Sequence, residues 1–123
     1  MYTEKDLLRA LKKSWSSQSS SKWSLDNPAR GQCGVTALVV NDILGGEIYK
    51  TWLDEGWHFY NMLAGERRDF TEEQFSYNLE YQDLCSSREE AFQDTNDAQY
   101  SYLQTQVYRS LPLNYSICTW KYE

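Results

Sequence analysis

The chain has 123 residues, 41% of them hydrophobic, 15% aromatic and 24% charged, with a net charge of −6. That length suits one domain able to bury about two thirds of its unfolded surface, and the aromatic content argues against disorder. The acids dominate after residue 30, where six Lys or Arg face fifteen Asp or Glu, so the chain lacks the basic footprint that a nucleic-acid partner requires.

The first segment, "TEKDLLRALKKSW", predicts a helix capped by Thr3 that runs to about Trp15. Leu7, Leu8 and Leu11 share its apolar side, and Lys5, Arg9, Lys12 and Lys13 form a solvated basic face. The start is too charged for a signal peptide, and no later run approaches the about 20 apolar residues of a membrane span. A cytoplasmic protein with no membrane partner is expected. Three cysteines, Cys33, Cys85 and Cys118, lack paired spacing, so no disulfide framework is expected there and the Asn114 sequon should be silent.

Residues 16–22, "SSQSSSK", read as a flexible Ser-rich loop inside a single domain spanning 1–123, placed to flank a site. The next helix, about Gln32 to Leu44, is apolar almost all round and should lie at the centre of the fold. Pro28 and Gly31 shape its approach, and Gly45-Gly46 end it.

"EIYKTW" and "WHFYNML" alternate as strands do, and the turn "AGE" leads into a return segment "RRDFT". An antiparallel hairpin follows. Thr71 can cap a short helix bearing Phe75, residues 87–93 look helical, and Thr95 or Asn96 can cap a last helix. On that helix Tyr100, Leu103, Val107 and Leu111 share a side before Pro112, and "YSICTWKY" could close the chain as a strand. The fold class is α+β: a central helix carrying a cysteine, packed on a small antiparallel sheet, with further helices.

One histidine limits the chemistry. With His58 alone and three scattered cysteines, the four close-spaced ligands of a structural zinc site are missing, and "LGGE" follows a helix and lacks the lysine of a phosphate loop. No metal and no cofactor are expected. Nucleophilic catalysis needs a thiolate, a base and a group that orients the base, and Cys33, His58 and Asp69 can fill these roles.

If the hairpin turns at Ala64-Gly65, Tyr60 lies opposite Asp69, and His58 points to the same face as a diagonal neighbour. A three-residue loop would turn Asp69 away. Asn61, the other polar candidate, should face the opposite side. The Cys33 amide or the side chain of Gln32 could hydrogen-bond an oxyanion. The cluster Trp52, Trp57, Phe59 and Tyr60 reads first as core and hairpin face, with Trp57 available as a substrate wall. Arg67-Arg68 reads as a solvated turn, with Arg68 close enough in sequence to compete for Asp69.

At "GQCGVTALVVNDILGGEI" and "HFYNMLAGERRDFTEEQF" the sequence resembles the YunG-like family of small bacterial proteins, over about residues 3–110. That family looks like a minimal relative of the papain-like and transglutaminase-like cysteine-peptidase folds. The resemblance implies Cys33, His58 and Asp69, in that order, as a catalytic triad, and it puts Asn27 at the distance usually held by an oxyanion-side Gln. The short separation from Cys33 to His58 leaves little chain for a peptide-binding lobe, which points to hydrolysis or acyl transfer on a small amide, ester or peptide. The alternative is a non-catalytic interaction protein that keeps the scaffold, binds a protein partner, and uses Cys33 as a core residue.

Overall fold

A computed structural model describes residues 3–112. The expected final strand and Cys118 lie outside them. Helix α1 spans Glu4–Ser14 and α2 Cys33–Leu44; strands β1 (Glu47–Leu53), β2 (Gly56–Leu63) and β3 (Glu66–Arg68) follow. A single 3₁₀ turn (Glu72–Gln74) leads into an irregular stretch, then β4 (Leu84–Cys85), α3 (Arg88–Phe92) and α4 (Asp97–Ser110). The architecture is α+β, with α2 packed on a four-stranded antiparallel sheet in the order β3-β2-β1-β4 and the other helices packed on α2.

Each helix begins where its first amides find an acceptor. Thr3 and Asp6 form a reciprocal capping box on α1, Ser87 caps α3, and Asn96 rather than Thr95 caps α4. Leu7, Ala10 and Leu11 of α1 meet Leu103, Val107 and Leu111 of the last helix and its end, together with Val35, Val39 and Val40 of α2. The basic face of α1 stays outside. All residues from Cys33 to Val40 are buried, so the apolar run of α2 is covered on every side, as its composition dictates. A second cluster joins Cys33, Ala37 and Leu38 to Ile48, Phe59 and Ala91, between α2 and the sheet.

The Ser-rich segment departs from the expectation. Residues 16–22 form tight turns in which Ser19 and Ser20 are buried, and the Ser16, Ser19 and Ser20 hydroxyls bind nearby backbone groups. Serine here replaces lost helical hydrogen bonds, so a composition that suggests a flexible linker builds a packed corner.

Hairpin β2–β3 turns at Ala64-Gly65, both with positive φ (52° and 80°), the mirror-image turn that suits a twisted ribbon. Its pairs are Leu63 with Glu66, Met62 with Arg67 and Asn61 with Arg68. The register is the one expected for a two-residue loop, and its continuation sets Asp69 opposite Tyr60. Gly46, with φ +76°, passes so close to the Met62 carbonyl that a side chain would collide with it.

Leu103 is fully buried between α1 and α4. Replacing it with alanine should cost about 2 to 5 kcal/mol, read as a lower urea midpoint with little change in slope.

Candidate functional site

Alternation along β2 separates its side chains into two sets. Phe59 and Asn61 face α2, where the Asn61 amide donates to the Ala37 carbonyl. His58 and Tyr60 lie on the other face, where Tyr81 stacks edge-on against Tyr60 at 5.0 Å. Asn61 is therefore a structural clamp between sheet and helix, on the side expected for it.

Asp69 stands at the point where the chain leaves the sheet. Its Oδ1 accepts from the Thr71 amide (3.1 Å) and the Thr71 hydroxyl (3.2 Å), and its Oδ2 accepts from Tyr81 (2.8 Å). The same Oδ2 lies 2.6 Å from His58 Nε2, and both side chains are about 2% exposed. Four polar contacts thus hold one carboxylate in a closed environment, and Phe75 packs edge-on against the imidazole at 4.9 Å. Thr71 does not cap the 3₁₀ turn through its side chain as expected; its hydroxyl is spent on Asp69 and receives the Gln74 amide instead.

Both arginines keep the solvent exposure expected of them, on strand β3, and each also holds a carboxylate. Arg67 grips Asp83 through two nitrogens (2.9 and 2.8 Å) and lies over the Tyr81 ring at 4.1 Å, which fixes the phenol that reaches Asp69. Arg68 points outward to Glu4 and Glu66. It does not take the carboxylate from His58.

Cys33 reaches the same strand from the helix side. In a two-residue hairpin the ladder alternates so that the Phe59 amide points away from β1, and β3, ending opposite Asn61, stops short of it. Cys33 packs against Phe59, and that backbone acts to lower the thiol pKa. The thiol is therefore held against the residue next to His58, at a gap in the sheet edge.

The other partner of the thiol could not be anticipated from local sequence. Asp94, between α3 and α4, places Oδ2 at 3.5 Å from the Cys33 sulfur and 3.1 Å from the Gly34 amide. Among the described residues, the side chain bonded to the sulfur is Asp94 and not His58. Burial, followed by the Asp94 charge, pushes the Cys33 thiol well above its ordinary pKa, so the resting group is a protonated thiol. Burial also raises Asp94, against the opposing effects of Cys33, Gly34, Lys22 and His58.

Cys33, Trp57, His58, Phe75, Tyr77 and Asp94 line one cleft of about 710 Å³, a size in the range of small-molecule sites. Asn27 also lines it, with its amide committed to the Gln74 carbonyl at 3.0 Å. Trp57, 39% exposed, stacks edge-on with Trp52 and carries the Lys50 ammonium over its ring at 4.1 Å. Gln32 is elsewhere: its side chain is fully buried and directed at the Ser16 carbonyl, and it does not line the cleft. Cys85 is exposed on β4, away from these groups.

A family model described as YunG protein matches residues 3–112. The chain belongs to the YunG family. It is 60% identical over 94 residues to the "Uncharacterized protein YunG" of Bacillus subtilis (strain 168), a match covering 76% of this chain and 82% of that relative. No solved structure matches it. No helix among the described residues is long and apolar enough to cross a membrane.

Removing the carboxylate in Asp69→Ala leaves the His58, Tyr81 and Thr71 groups without their shared partner, and should cost about 3 to 5 kcal/mol. Tyr81→Phe deletes one donor and should cost about 1 kcal/mol by the same denaturant titration.

The raised Asp94 pKa has a definite sign. The folded chain binds this proton more tightly than the unfolded one, so its contribution favours folding at low pH and is lost as pH rises through the folded value. The stability of Asp94→Asn relative to the parent should therefore increase from about pH 4 upward, measured as a difference in thermal midpoint.

Proposed function

We propose that the cleft is a thiol site for hydrolysis of, or acyl transfer from, a small amide or ester, with Cys33 as nucleophile, His58 as base and Asp69 as orienting group. The observation that carries this reading is the 2.6 Å contact between His58 and Asp69, closed from solvent and supported by Thr71 and Tyr81. A buried carboxylate on one ring nitrogen fixes the imidazole tautomer and leaves Nδ1 as the basic atom. The cleft supports the reading, since Cys33 and His58 both line it. A likeness to a papain-like core also belongs to this reading, with Cys33 at the start of a central helix, His58 on a strand and Asp69 just past the next strand.

In the reaction, the sulfur turns from Asp94 to His58 and gives its proton to Nδ1. The thiolate forms a bond to the acyl carbon, and the carbonyl electron pair moves to oxygen. As the tetrahedral adduct collapses, the bond to the amine or alkoxide breaks and His58 returns the proton to that leaving group. Water, or a second nucleophile, then takes the acyl group from sulfur.

A non-catalytic binding protein is the second reading, and the high pKa of the Cys33 thiol favours it. Intact-mass measurement after exposure to p-nitrophenyl acetate separates the two. The thiol site should yield an acetyl adduct on Cys33 that is absent in Cys33→Ser and slowed at least about a hundredfold in His58→Gln, the scale of a lost general base. Adducts spread equally over Cys33 and Cys85, indifferent to His58, would sink the catalytic reading.

A further inference from the structure

We infer that the Gly34 backbone N–H is the oxyanion donor of this site and that Asp94 is an autoinhibitory carboxylate occupying the place of the acyl oxygen. The inference rests on the thiol-site reading above. An oxyanion donor must lie about 3 Å from the oxygen that develops charge on the carbon bonded to the nucleophile. The Asp94 Oδ2 meets both halves of that description: it is 3.1 Å from the Gly34 nitrogen and in hydrogen-bond reach of the Cys33 sulfur at 3.5 Å.

The donor belongs to the first turn of a twelve-residue helix, where amides have no partner within the helix and the dipole favours negative charge. Absence of a side chain at position 34 makes the approach possible. A Cβ there would stand 2.6 Å from Asp94 Oδ2 and 2.7 Å from its Cβ, so any other residue would force the carboxylate out. Asp94 is also the wrong group for a resting thiolate. Its charge opposes ionisation of Cys33, while its oxygen accepts the thiol proton that His58 has to collect.

The groups facing this carboxylate are Cys33 and Gly34 from α2, Lys22 from the Ser-rich turns and His58 from β2. Asp94 sits in the short connection between Phe92 and Asn96, which also sends Gln93 into the cleft. Displacement thus requires movement of a connection and leaves the sheet in place. A substrate carbonyl that takes the Gly34 N–H removes the inhibitory charge in the same event.

The test uses full-length protein and iodoacetamide, which transfers its carbamidomethyl group to sulfur with loss of iodide. Asp94→Asn and Asp94→Ala should each raise the alkylation rate of Cys33 at pH 7 at least tenfold and lower the pH at which the rate reaches half its plateau, with Cys85 unchanged. Asp94→Ala should further strengthen reversible inhibition of this labelling by propionaldehyde, whose hemithioacetal oxygen needs the vacated Gly34 N–H. Circular dichroism confirms that the variants fold. Unchanged or slower alkylation in both folded variants overturns the inference. Adding His58→Gln to Asp94→Asn distinguishes it from the reading on which it rests. Loss of the gained reactivity supports both, whereas retention of that gain overturns a role for His58 and leaves the Asp94 contact standing.

Discussion

The early end of β3 is the constraint on which the site depends. Three residues pair with β2, and then the chain turns away at Asp69 because this carboxylate takes the Thr71 amide and hydroxyl in a local turn. One longer strand would have paired the Phe59 amide and closed the sheet edge beside Cys33. A single side chain therefore ends the strand, orients the histidine and leaves open the gap through which helix and sheet meet. Cys33, from the helix side of β2, and His58, from its other face, line one cleft beside the point where the third strand stops.

Around that gap, the supports are layered. Arg67 fixes Tyr81 by stacking, Tyr81 and Thr71 fix Asp69, and Asp69 fixes His58. On the other side, Asn61 ties β2 to the Ala37 carbonyl, so the helix that carries Cys33 has little freedom to slide along the strand. Polar groups buried this deeply are costly unless each has a partner, and nearly every member of this chain of contacts has one.

Much of the frame was legible in the sequence because its determinants are local. The apolar run from Val35 to Leu44 announces a covered helix, and two turn residues at Ala64-Gly65 fix the phase that brings Asp69 to His58. The parts that were not legible act at long range. Asp94 lies 61 residues from Cys33, in a connection without any periodic pattern, and Tyr81 comes from a stretch whose shape is set by Asp83 and Arg67. The serines of residues 16–22 illustrate a different limit: composition gives the hydrogen-bonding capacity of a segment but says nothing about whether solvent or its own backbone uses it. Gln32 was misplaced for a similar reason, since adjacency to Cys33 does not fix which way a side chain leaves a helix cap.

Hairpin tips are ordinarily where a protein best tolerates added residues, being exposed and far from any core. The tip at Ala64-Gly65 inverts that expectation. One extra residue would leave the turn itself perfectly viable and still send the orienting carboxylate to the wrong side of the ribbon, so the length of this exposed loop is held as tightly as the buried core it lies outside.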